Sequence, residues 1–206
     1  FSYADIIFSV ILMYDFYFDK KHKIKKNPED FLIFVKKLLP RWLNGIPDSE
    51  CLAIYKTLDY IKKKKKKKLV VIETGCGAST LALFLHSALN GNKMFSWDIN
   101  GSKGSILKSI INEAICNAIE VDINKVWTFV PFFSTDRHVG LNMLKDMRLK
   151  ADFCFFDSWH TLDHVISEIK EYEKISPKDN FVLAFDDSYY TKKKLNYVYI
   201  NIIRTK

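Results

Sequence analysis

Residues 68–80 read Lys-Leu-Val-Val-Ile-Glu-Thr-Gly-Cys-Gly-Ala-Ser-Thr, and Leu81-Ala82-Leu83-Phe84-Leu85 follows. Leu69 to Ile72 is a short, β-branched apolar run, the pattern of a strand buried on both faces. Gly75 and Gly77 then permit a sharp bend and a close approach of backbone to ligand. Ser79 or Thr80 can cap the helix that follows, because a hydroxyl accepts from the free N–H groups of a first turn. Strand, glycine bend and helix in this order form a nucleotide-type site. Glu73 separates it from a diphosphate cradle. A carboxylate at the strand end repels phosphate and suits a cationic or hydroxyl-rich ligand.

Downstream of this stretch the pattern alternates. Helices are expected over 79–89, 103–118, 136–147 and 162–172, and strands over 93–97, 126–130, 152–156 and 180–185. The last helix is expected to bury Leu162, Val165, Ile166 and Ile169. Five strands alternating with helices predict an α/β fold, a Rossmann-like doubly wound parallel sheet. Upstream, Asn27-Pro28-Glu29-Asp30 and Pro47-Asp48-Ser49-Glu50 each open a helix. The expected organisation is an N-terminal helical cap over 1–61 and a Rossmann-like domain over 62–206. The lysine run Lys62 to Lys68 reads as an exposed connector between them. Residues after Tyr189 are too few for the helix and hairpin that usually close such a sheet, so a C-terminally incomplete sheet is expected.

The 206 residues suffice for one sizeable core, and 48% of them are hydrophobic. The net charge is +8, but the lysines are clumped, which reads as solvated loops and helix ends. Cys51, Cys76, Cys116 and Cys154 are widely spaced with no Cys-x-x-Cys pair. This argues against a zinc knuckle or disulfide scaffold and for a reducing, cytoplasmic setting. Phe1 to Phe18 is apolar and aromatic, but Asp5 and Asp15 interrupt it, and a span needs about 20 clean apolar residues.

Four of the five strands end in acids: Glu73, Asp98, Asp157 and Asp186-Asp187. In a parallel sheet these converge on one edge, where ligands bind. Asp98 lies 25 residues beyond Glu73, where an acid accepts both ribose hydroxyls of a nucleoside. Asp157, Asp186 and Asp187 form a second group. Three close carboxylates repel unless a cation sits among them, and oxygen ligands favour Mg²⁺ or Ca²⁺. His160, three residues after Asp157, has the chemistry of a general base near neutral pH. His164 and His138 offer weaker cases, and His22 and His86 none.

Together, Glu73-Thr-Gly-Cys-Gly-Ala-Ser-Thr, Phe156-Asp157-Ser158-Trp159-His160 and Phe185-Asp186-Asp187 resemble class I S-adenosylmethionine-dependent methyltransferases. The small-molecule O-methyltransferases, of the catechol and caffeoyl-CoA type, and the cephalosporin-hydroxylase-like branch are the most similar. The resemblance spans Leu69 to about Ser188. It implies that Gly75 and Gly77 line the methionine part of the cofactor, with Glu73 near its amino end. It also implies cofactor contacts from Ser79 and Thr80, ribose binding by Asp98, and adenine contacts from Ser134 and Thr135. Asp157, Asp186 and Asp187 would hold a divalent metal, with Mg²⁺ the expected ion. His160 stands where the catechol type has a lysine base, and Asp186-Asp187 where that type has Asp-Asn.

The implied function is S-adenosylmethionine-dependent methyl transfer to a hydroxyl of a small molecule. Nucleic acid and membrane are not the expected partners, and a homo-oligomer is compatible with this reading. The rivals are a metal-independent methyltransferase and a non-catalytic module that uses its lysines to hold nucleic acid or an anionic surface.

Overall fold

Val70–Thr74 (β1) runs through the centre of the sheet and has Lys93–Trp97 (β2) on one side and Phe153–Phe156 (β4) on the other. Trp127–Val130 (β3) lies outside β2, and Val182–Phe185 (β5) lies outside β4, giving the order β3-β2-β1-β4-β5. Every pairing is parallel. The strand order reverses at β1, so the crevice beyond its carboxyl end is the switch point of the sheet. The structure, a computed structural model, describes residues 24, 26–159, 161–176 and 181–186. His160, Asp187 and the segments 1–23 and 187–206 lie outside them.

Both faces of the sheet are buried, which is why its strands are apolar at successive positions. Val71, Met94, Trp127, Phe153, Phe155 and Val182 pack on one side, with Leu81, Phe84 and Leu85 of Ala78–Asn90 (α3). That core also takes Leu107 and Ile111 of Gly101–Ile111 (α4), which continues through a wider π turn at Asn112–Cys116. Ile72, Phe95, Trp97, Cys154, Phe156 and Leu183 face the other way, towards Leu141, Leu144, Tyr172 and Ile175. A one-residue alternation along each strand produces these two cores.

The upstream helices belong to the first core. Pro28–Lys37 (α1) begins at Asn27, whose side chain accepts from the Asp30 amide, with Pro28 in the first turn. Asp48–Lys65 (α2) buries Cys51, Ile54, Tyr55, Leu58 and Ile61. These residues form one apolar cluster with Leu32, Val35 and Leu43 upstream and Leu81 and Phe84 of α3.

Three expectations are corrected. The lysine run is mostly exposed, as expected, but it is more than a connector. α2 continues to Lys65, and Lys65 and Lys67 pair with fully buried Asp152 at 2.6 and 2.9 Å. No helix fills 136–147. Asp136 Oδ1 accepts from the amides of His138 and Val139, which folds the chain into turns before the short Met143–Asp146 (α6). Gly140 in these turns is so tightly enclosed that a Cβ would lie 2.4 Å from the Asp136 carbonyl oxygen. (Ile123–Val126, α5, is a single turn before β3.) Finally, Leu162–Ile175 (α7) turns Glu168, Tyr172 and Ile175 inward, whereas Leu162 and Ile166 are exposed. The physical reason is polar: Glu168 is drawn inward by hydroxyls from two neighbouring loops.

Candidate functional site

The bend after β1 forms because only glycine fits it. Gly75 has φ +82°, and a Cβ there would fall 1.7 Å from the Asp157 carbonyl oxygen. Its amide donates to the Trp97 carbonyl at 2.7 Å, and the Asp157 amide donates to the Thr74 carbonyl at 2.7 Å. The ends of β1, β2 and β4 are thereby locked at one level. Gly77 precedes α3 in extended conformation, and its amide donates to Thr80 Oγ1 at 3.0 Å.

Beyond these strand ends lies a cavity of about 270 Å³, lined by Gly75, Trp97, Asp98, Lys103, Asp157 and Ser158 among others. The loop after β3 adds Phe132, Phe133 and Ser134, and the loop after β4 adds Trp159. Phe133 and Trp159 stack with centroids 6.4 Å apart and planes 15° from parallel. Ile99, Phe132, Phe133 and Trp159 are each about half exposed, at 59%, 50%, 45% and 60%. An apolar aromatic end thus adjoins an acidic one.

Asp98 ties the second strand to the glycine bend. Its Oδ2 accepts from the Cys76 amide at 2.9 Å and from Lys103 Nζ at 3.2 Å, and Oδ1 accepts from the Asn100 amide at 2.8 Å. A carboxylate has about four acceptor positions, so three such bonds leave room for a ligand hydroxyl.

Glu73 sits below the cavity. Its Oε1 accepts from Ser79 Oγ at 2.6 Å, and its Oε2 from Thr80 Oγ1 at 2.8 Å and Ser96 Oγ at 2.9 Å. Ser96 Oγ in turn accepts from Trp127 Nε1 at 2.9 Å. Burial pushes the Glu73 carboxyl up to about 7, the three hydroxyls pull it back in part, and nearby Asp98 adds to the rise. The hydroxyls of Ser79 and Thr80 are therefore turned to Glu73, and all three side chains are fully buried.

Asp157 and Asp186 meet across β4 and β5. Burial raises the Asp157 carboxyl, and the charge of Asp186 and a side-chain hydrogen bond with it raise it further. Glu73 and Glu50 act in the same direction. Among the described residues no group of three or more His, Cys, Asp or Glu is placed to hold a metal ion. Asp187 and His160, the third acid and the base expected from the sequence, are outside the described residues.

Of the residues singled out in the sequence, Gly75, Asp98, Ser134 and Asp157 line the cavity. Glu73, Ser79 and Thr80 support it from beneath, and Gly77 and Thr135 lie outside its lining. Lys103, the aromatic rim and Ser158 were not anticipated as cavity residues, and His164, which also lines the cavity, had only a weaker case. The adjacent Phe132-Phe133 directly after a strand end was the available signal, since bulky apolar residues there have no core to join.

A five-stranded parallel sheet in this order, with a glycine bend and an acid flanking one cavity, is a Rossmann-like α/β fold. Solved structures agree. The chain is similar to an O-methyltransferase from Bacillus cereus in complex with SAH, at 14% identity and a TM-score of 0.55, covering 77% of this chain and 64% of that one. It is similar to an SAH-bound Podospora anserina methyltransferase at 16% identity and a TM-score of 0.51, covering 77% and 62%. It is also similar to a hypothetical protein from Thermus thermophilus at 13% identity and a TM-score of 0.53, covering 78% and 85%. The chain spans less than two thirds of the length of the first two. No family model and no curated protein matches the sequence.

Proposed function

We propose that this chain transfers a methyl group from S-adenosylmethionine to a hydroxyl of a small molecule, assisted by a divalent cation. One observation carries the reading. Gly75 and Asp98 line the same cavity, and the Cys76 amide between the glycines is bonded to Asp98. The bend and the ribose-type acid are thus one rigid unit, facing a hollow with an aromatic end suited to a base.

In this reading the chain's own residues mainly position. Asp98 accepts a ribose hydroxyl through its remaining lone pair. Gly75 admits the methionine portion because nothing projects from its α-carbon. Ile99, Phe133 and Trp159 enclose the apolar base and exclude water from it. Glu73 holds Ser79, Thr80 and Ser96 together and so fixes the bend. The bound sulfonium supplies a methyl group already activated for in-line attack.

Asp157 and Asp186 fit a hard cation. They are oxygen donors forced together, and a divalent ion in place of the shared proton relieves their repulsion. Such an ion lowers the pKa of an acceptor hydroxyl. The resemblance puts the third carboxylate at Asp187 and the base at His160. A metal-independent transfer is the second reading, because the described residues offer only two carboxylates at this point. The clumped lysines are not needed by either reading. The four buried free thiols support a reducing compartment, and no helix among the described residues is long and apolar enough to cross a membrane.

Calorimetric titration with S-adenosylhomocysteine, with and without Mg²⁺, tests the proposal. The wild type binds, Asp98→Ala abolishes binding, and Asp157→Ala keeps binding while removing the Mg²⁺ dependence of turnover. Circular dichroism controls for folding, since Asp98→Ala also frees the Cys76 amide. Equal effects of the two changes count against the assignment. Turnover untouched by chelator selects the metal-independent reading.

A further inference from the structure

Between the loops after β3 and β4 lies a polar group that the proposed function has not used. Glu168 of α7 is fully buried. Its Oε1 accepts from Ser134 Oγ and, at 2.9 Å, from Ser158 Oγ. His164, one turn earlier on the same helix, lines the cavity and places Nε2 3.0 Å from Ser158 Oγ and 3.4 Å from Glu168 Oε1. The His164 ring lies 6.4 Å from that of Trp159, at the aromatic end.

The hydrogen-bond partners of this ring assign its tautomer. A serine hydroxyl carries one hydrogen, and Ser158 donates its own to Glu168. Towards His164, Ser158 Oγ can therefore only accept, so Nε2 carries a hydrogen. In the neutral imidazole Nδ1 is then an acceptor. Ser134 has likewise donated its hydrogen to Glu168. Glu168 Oε2, also buried, has no hydrogen-bond partner. Among the described residues the side chains of this corner are short of donors: those of Ser134, Ser158 and His164 offer a ligand acceptors alone. Lys103, the ammonium among the described residues that line the cavity, is held at the other end by Asp98.

We propose that His164 is a specificity-determining residue of the nucleoside cavity. Held at Nε2 by Ser158 and Glu168, it offers Nδ1 as an acceptor and selects a base with an exocyclic amino group over one with an oxo group. The inference rests on the proposed function, since it deepens the reading of the same cavity. A 6-aminopurine supplies the donor this corner lacks. A 6-oxopurine brings an oxygen against acceptors and leaves buried polar atoms unpaired, which discriminates far more strongly than a lost contact. Glu168 is a positioning residue, acting through the two serines and the imidazole.

The test compares S-adenosylhomocysteine with S-inosylhomocysteine, which differ at the base, by calorimetry. The wild type is expected to prefer the amino compound by ~30-fold or more, and His164→Ala to reduce the preference to below ~5-fold. Glu168→Gln should also lower it, because an amide donates where the carboxyl only accepts. Imidazole ¹⁵N spectra of the wild type, with the His164 signal assigned from its loss in His164→Ala or His164→Gln, should show the Nε2–H tautomer. An Nδ1–H tautomer overturns the proposal without need of a folded variant. Wild-type binding with equal affinity for both nucleosides, or a preference unchanged in a folded His164→Ala, overturns it and leaves the methyltransferase reading standing. Binding of neither nucleoside by the wild type sinks both.

Discussion

Glu73 receives three hydroxyl hydrogens on two oxygens while fully buried. As pH rises, the unfolded chain releases this proton near 4.5, whereas the folded chain keeps it until about 7. Between those values the folded state binds more protons, so stability falls as pH rises. Glu73→Gln removes that slope. Urea unfolding at pH 4 and pH 8 should show the wild type losing on the order of 3 kcal/mol more than the variant across the window. Parallel curves would mean that Glu73 ionises normally in the fold. The position of Glu73 at a strand end was legible in the sequence. Its encirclement was not, because Ser96 comes from another strand and joins it only when β1 and β2 pair in register, Glu73 beside Ser96.

The end of α2 shows why composition misleads at the scale of an element. A run of seven lysines reads as solvent-exposed filler, and most of its side chains are exposed. Asp152, immediately before β4, is fully buried, and its Oδ2 also accepts from the Val70 amide at 3.0 Å. Burial raises the Asp152 carboxyl, but hydrogen bonds from Lys65, Lys67 and the Val70 amide, with the charge of Lys65, outweigh it and leave it lowered. Its contribution to stability is present above the ordinary aspartate range and lost as pH falls below it. Lys65→Ala should destabilise the fold by about 2–3 kcal/mol at pH 7, with half-exposed Lys67 compensating in part. Lys63→Ala, which breaks an exposed pair with Asp59, should cost less than about 0.5 kcal/mol. Equal urea midpoints for the two variants would refute the distinction. The inward face of α7 is a related case. Its apolar spacing pointed to Leu162 and Ile166, yet Glu168 faces the core because partners for its oxygens lie there.

Across the whole molecule, the lysine run lies at the edge where the strands begin, and the cavity at the edge where they end. The net positive charge of the chain therefore does not flank the proposed site through that run. The upstream helices are part of the sheet's own packing: Leu32, Val35, Leu43, Cys51 and Leu58 share a core with Leu81, Phe84 and Leu85 of α3. A piece beginning at residue 66 is expected to lose cooperative unfolding and to expose that apolar face. Thermal melts followed by circular dichroism check this, and a sharp transition in the shortened chain would show that the helices are separable.

What the sequence determined alone is the order of strands and helices, the parallel sheet and the edge on which the acids gather. These follow from local periodicity and from glycine's conformational freedom, which any reader of the chain can count. The tertiary structure alone decided which hydrogen-bonding positions are already taken. Both oxygens of Glu73 and one of Glu168 are taken by serines and a threonine from other elements, Asp98 keeps room for a ligand, and Phe133 meets Trp159 across two loops. Such pairings depend on strand register and helix rotation, properties of packed elements that no single stretch of chain contains.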